Sequence, residues 1–81
     1  MADWELRDNA LHREFRFAGF AEAFSFMTAV AFAAERLQHH PDWNNVYNRV
    51  AIRLTTHDAG GVTDRDYELA REIDRIAAHW T

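Results

Sequence analysis

Short stretches of period two and two long stretches of helical period follow one another along the chain, and that rhythm divides it into elements. Residues 4 to 17 read as a hairpin. Trp4 to Leu6 form a short strand, Arg7-Asp8-Asn9-Ala10 is polar and turn-like, and Leu11 to Phe17 alternates. Leu11, Arg13, Phe15 and Phe17 share one face, interrupted only by Arg13; His12, Glu14 and Arg16 share the other. Over residues 20 to 38, Phe20, Ala23, Phe24, Met27, Val30, Ala31, Ala34 and Leu37 recur at three- and four-residue steps, which predicts a long helix. Its polar side is thin, and Phe26 and Phe32 fall off the main stripe. Such a helix is expected to be covered on more than one side. Pro41 disfavours helical geometry at His40.

Residues 46 to 56 alternate again. Val46, Asn48, Val50, Ile52 and Leu54 are expected on a buried face, with Tyr47, Arg49, Ala51, Arg53 and Thr55 opposite. This is one strand, or two short strands bent in the middle. Asp58-Ala59-Gly60-Gly61 is a loop. Thr63 is a good N-cap for the last helix, and Asp66 occupies the third helical position of a capping box. Tyr67, Leu69, Ala70, Ile73, Ile76, Ala77 and Trp80 supply that helix's apolar stripe. The order β-β-α-β-(β)-α predicts an α+β fold, an antiparallel four-stranded sheet with two helices packed on one face.

Composition narrows the function. The 81 residues allow one domain, 1–81, and the 48% apolar share is that of a globular chain. Cysteine is absent, which removes disulfides, thiolate metal sites and a cysteine nucleophile. Thirteen acidic against nine basic residues argue against a nucleic-acid partner. No apolar run is long enough to cross a bilayer, and Met-Ala-Asp-Trp-Glu does not resemble a signal peptide. A soluble cytoplasmic protein with no membrane partner is expected. A small domain without covalent staples often assembles into oligomers.

The candidate chemistry lies in histidine. His39 and His40 follow the long helix and precede Pro41, and His57 ends the second alternating stretch. If that stretch runs back past the helix end, the three imidazoles converge. A group titrating near neutrality can both give and take protons. Glu35, one turn before His39, is placed to orient an imidazole. Two plainer readings stand beside this one. Histidines after a helix C-terminus often serve only as polar caps. Three histidines can also hold zinc, although neighbours such as His39 and His40 rarely point the same way. Trp43 is either a stacking surface for a flat heterocycle or a core aromatic. His12 and His79 are expected in solvent, and Gly60-Gly61 lacks the lysine of a phosphate loop.

From Glu35 to Asp66 a fixed spacing emerges. An acidic residue and three others precede His39-His40-Pro41; five residues then lead to Tyr47, nine more to His57 and eight more to Asp66. With Phe26-Met27-Thr28 and Thr55-Thr56-His57, this resembles the pterin-4a-carbinolamine dehydratase family, and the similarity runs from Trp4 to the C-terminus. The resemblance implies removal of water from a 4a-hydroxy-tetrahydropterin, with no metal or organic cofactor. It implies catalytic roles for His39, His40 and His57, with His40 and His57 foremost. It implies pterin contacts from the loops His39 to Pro41 and Thr56 to Ala59, so from Pro41, Thr56, Asp58 and Ala59. Trp43 falls at the rim, Glu35 in support and Asp66 within the motif, where capping is already a sufficient structural role. It further implies a homodimer or homotetramer. An alternative within the same fold is a module that binds a pterin or a protein partner without dehydrating, and some relatives bind a homeodomain transcription factor. Members commonly carry a helix before the position of Trp4, where this chain has three residues. The sheet is therefore expected to be less fully covered here.

Overall fold

Asp8 and Asn9 carry the backbone through left-handed φ values of 53° and 61°. These short polar side chains tolerate that region, and a two-residue loop with both φ positive matches the natural twist of a hairpin. The loop joins β1 (Glu5–Arg7) to β2 (Ala10–Arg16), with Leu6 opposite Leu11. The computed structural model describes residues 3–80. After β2 come α1 (Phe20–Leu37), β3 (Asp42–Val46), β4 (Arg49–Leu54) and α2 (Asp64–Ala77), with short 3₁₀ turns at His57–Ala59 and Ala78–Trp80. The strands form one antiparallel sheet in the order β1-β2-β4-β3.

The stretch from 46 to 56 departs from its expected reading. A second two-residue turn, Tyr47-Asn48, cuts it after Val46, and β3 extends upstream of it to Asp42. Residues paired across a hairpin share a face, so the turn reverses the parity of the alternation. Val46 opposes Arg49 on the outer face and is exposed, while Asn45 opposes Val50 and Trp43 opposes Ile52 on the core side. Val46 was expected to share a face with Val50, and this parity reversal is why it does not. Tyr47 holds φ 52°, unusual for an aromatic residue. The Asn45 side-chain amide donates to the Tyr47 and Arg49 carbonyls, and Asn48 donates to the Phe17 carbonyl, which pins the turn.

Helix α1 buries a stripe that shares Ala23, Val30 and Ala34 with the expected one but is rotated toward Phe26 and Ala33 and away from Phe20 and Phe24. Ala23, Phe26, Val30, Ala33 and Ala34 are buried, whereas Phe20, Phe24 and Phe32 stand exposed. Two overlapping apolar stripes run down this alanine-rich helix at the same spacing. The buried stripe carries Phe26, whose ring lies 4.9 Å from both Phe15 and Phe17. Those two rings are fixed on β2 and beyond its end, so they select Phe26 over Phe24. Helix α2 buries Leu69, Ala70, Ile73 and Ala77 as its stripe predicts. Together with Leu11, Val50, Ile52 and Leu54 these residues form the core between the sheet and the two helices.

Arg13, the charge on the core face of β2, is matched at the margin. Asp74 on α2 accepts from its guanidinium at 2.6 Å and from the Trp4 indole at 2.8 Å, and the guanidinium lies 4.2 Å from the Phe15 ring centroid. The opposite face of the sheet is polar. A depression of about 280 Å³ there is lined by Glu5, Arg7, His12, Glu14 and Ala51, together with Arg13 and Ile52. None of the helices among the described residues is long and apolar enough to cross a membrane.

Candidate active site

The site begins where α1 ends. Gln38 adopts φ 54° and closes the helix, its N–H reaching the Ala34 and Glu35 carbonyls and its side-chain amide donating to Glu35. The His39 N–H bonds back to Ala34 at 3.1 Å, the wider closure typical of a left-handed helix end. Arg65, from the first turn of α2, donates to the Gln38 carbonyl and ties the two helix ends together. His39 turns inward and is 8% exposed; His40 remains in solvent.

His39 meets Asp66, which is fully buried at the start of α2. Its Nε2 lies 2.6 Å from Asp66 Oδ1. The Thr56 hydroxyl donates to Oδ2 at 2.7 Å, and the Thr63 backbone N–H donates to the same oxygen at 2.8 Å. Asp66 therefore completes the capping box and a second network at once. Burial alone pushes this carboxyl up. The bonds from His39, the Thr63 N–H and the Thr56 hydroxyl outweigh that, and hold it below the usual carboxylate range. The positive end of α2 favours the same ionised form.

This depression has a consequence for stability. An acid held ionised by the fold stabilises it fully above the ordinary carboxylate pKa of about 4, and the contribution disappears as pH falls through the lower folded value. Acid unfolding below about pH 4 should therefore be steeper in the native protein than in Asp66→Asn. Denaturant midpoints measured between about pH 5 and pH 2 check this, and parallel curves would contradict it.

The second pair is exposed. His40 Nε2 lies 3.0 Å from Glu35 Oε1. Both side chains are mostly in solvent, so the contact orients the ring and adds little stability. His57 opens the 3₁₀ turn that follows Thr56, with Asp58 and Ala59 exposed beside it. Thr56 pairs with Gly61 across that turn, and Gly60 passes through it at φ 73°. A Cβ at Gly60 meets nothing within 4 Å, so its conformation alone sets the cost of a side chain. Gly60→Ala should lose about 1 kcal/mol, and Gly60→Asn less, as read by denaturant midpoints.

Pro41 is half-buried between His40 and β3, and Trp43 packs half-buried against the core from β3. The fold thus assembles His39, Thr56 and Asp66 directly, and pairs His40 with Glu35. His57 follows Thr56 in the chain and stands exposed at the start of the turn, and no side-chain hydrogen bond among the described residues joins its ring to that group. Neither cavity on the outer sheet face is lined by His39, His40 or His57. No group of three metal-ligating side chains comes together among the described residues. The spacing pattern marked Thr63 only as a cap and gave Arg65 no role; both hold the junction, and no sequence signal beyond capping announces it.

The fold and these pairs define a class: a small α+β protein with imidazoles held by carboxylates at the meeting point of two helix ends. Comparison with known proteins narrows this. The profile of the family described as Pterin 4 alpha carbinolamine dehydratase matches residues 1–76. A protein of Solibacter usitatus assigned as pterin-4-alpha-carbinolamine dehydratase is 55% identical over 75 residues, 93% of this chain and 79% of its own. One from Burkholderia cenocepacia with the same assignment is 62% identical over 71 residues, 88% and 70% of the two chains. The crystal structure of a transcriptional coactivator/pterin dehydratase from Brucella melitensis superposes with a TM-score of 0.89 at 45% identity, covering 93% of this chain and 82% of that one. A pterin dehydratase-like RuBisCO assembly factor of the alpha-carboxysome shares the fold, with a TM-score of 0.76 at 23% identity, over 91% and 86%. The chain belongs to the pterin-4a-carbinolamine dehydratase family, a family of hydro-lyases.

Proposed function

We propose that the protein, acting as one domain over residues 1–81, removes water from 4a-hydroxy-tetrahydrobiopterin to give the quinonoid dihydropterin, by histidine general acid/base catalysis in tetrahydropterin recycling. The bond from carbon 4a to the hydroxyl breaks as an imidazolium gives that oxygen a proton, and water leaves. A neutral imidazole takes a proton from the pterin ring nitrogen as the new double bond forms. Atoms and charge balance without a metal or an organic cofactor. His39, His40 and His57 supply the proton-transfer set, with Glu35 orienting His40. Pro41, Trp43, Asp58 and Ala59 border the pterin, and Thr56 and Asp66 act from within the protein. The observation that carries this reading is the pair of imidazole–carboxylate contacts on successive residues, one buried and one open to solvent.

Dehydration of freshly made 4a-hydroxy-tetrahydropterin, followed as formation of the quinonoid product, is the test. Acceleration over the uncatalysed reaction supports it. Pterin binding without turnover would move the protein to the alternative, a binding or assembly module of the same fold. We propose further that it acts as a homodimer or homotetramer. Support comes from α1, where Phe20, Phe24 and Phe32 are 51%, 56% and 73% exposed. Sedimentation should show an oligomer that Phe24→Ser with Phe32→Ser weakens. A monomeric native protein would contradict it.

A further inference from the structure

The protons around Asp66 can be placed one by one. An ionised carboxylate only accepts, so Oδ1 takes the Nε2 proton of His39 and Oδ2 takes the single proton of the Thr56 hydroxyl. Thr56 Oγ1 lies 2.7 Å from Thr63 Oγ1, and its own proton is committed. Thr63 must therefore donate to Thr56, while accepting from the Arg65 N–H at 3.3 Å. The bonds run in one direction, from Arg65 through Thr63 and Thr56 to Asp66, and each polarises the next. They leave His39 with Nε2 committed as the donor to Asp66.

Thr56 has a second attachment. Its backbone N–H donates to the Gly61 carbonyl at 3.0 Å, and its carbonyl accepts from the Ala59 N–H at 3.1 Å. These bonds close the turn on which His57 stands. One buried residue thus holds the His57 turn by its backbone and the His39 carboxylate by its side chain.

We propose that Thr56 is a positioning residue for the dehydration, orienting the His39 imidazole through Asp66; this rests on the acid/base reading above. Its hydroxyl proton, rather than its bulk, performs the task. Thr56→Ser keeps that proton, whereas Thr56→Val keeps the shape and removes it.

The experiment measures kcat and KM of the native protein and both variants, together with nitrogen-edited proton spectra of the His39 ring. The native protein and Thr56→Ser should show a His39 Nε2–H signal protected from water exchange. Thr56→Val should lose that protection, and its kcat should fall on the order of tenfold to a hundredfold, the rate equivalent of losing one hydrogen bond to a charged group. KM should stay within about twofold, since no pterin contact is lost. Retention of both the protected signal and the native kcat in Thr56→Val overturns the proposal. So does a change in one without the other, or a Thr56→Ser variant as impaired as Thr56→Val. A native protein with no turnover at all defeats the dehydratase reading instead, and the ring-proton spectra then decide alone whether Thr56 holds His39.

Discussion

Asp66→Ala is expected to cost about 3–5 kcal/mol, because it leaves several buried donors without their acceptor, at roughly 1–3 kcal/mol for each unsatisfied group. Three donors converge on this carboxylate: the His39 ring, the Thr56 hydroxyl and the Thr63 N–H. Alanine leaves all three without an acceptor in a place water does not reach, and it deletes half of the α2 capping box. In a domain of this size each kcal/mol moves the thermal midpoint by roughly 4–8 °C, so the variant should melt far below the native protein or fail to fold. Asp66→Asn should be milder, because its carbonyl can still accept from His39 while its amide faces donors. Urea midpoints for the two variants check this. A loss under about 1 kcal/mol in Asp66→Ala would mean that the network adds almost nothing, against the range expected for buried charged hydrogen bonds.

How much of this was legible in the sequence depends on the range over which each signal acts. The first hairpin was readable because Asp8-Asn9 is a local turn signature. The second was obscured because Tyr47-Asn48 falls inside an unbroken alternation, and Tyr47 is not a residue that advertises a left-handed turn. The stripe of α1 was misplaced by about one residue because Phe24 and Phe26 satisfy helical spacing almost equally well. Only Phe15 and Phe17, distant in sequence, choose between them. At the site, the spacing from Glu35 to Asp66 singled out four residues that the fold joins in two imidazole–carboxylate contacts, and capping explained Asp66 as far as local rules go. The bond from Asp66 to His39 crosses 27 positions and that from Thr56 crosses 10, separations that periodicity does not encode. The same holds for Arg13, whose partner Asp74 lies on the last helix.

The burial contrast between the histidines divides their expected behaviour. His40 and His57 are exposed, so neither contributes to the core. His40→Ala and His57→Ala should each change stability by under about 0.5 kcal/mol. If these rings carry the proton transfers, each variant should lose roughly 10²–10⁴ in kcat, the range for removing a general acid or base. His39→Ala should behave differently, losing stability as well as rate, because it strips a donor from a buried carboxylate. Paired urea melts and dehydration assays on the three variants separate these cases. Native turnover in both His40→Ala and His57→Ala would remove the acid/base mechanism, whatever His39→Ala does. A large stability loss in either exposed variant would show that the ring is held more tightly than its solvent exposure allows. An unchanged urea midpoint is the outcome the exposure of these two rings requires, since the core does not depend on them, and a loss of rate beside it is what the proposed acid/base mechanism expects.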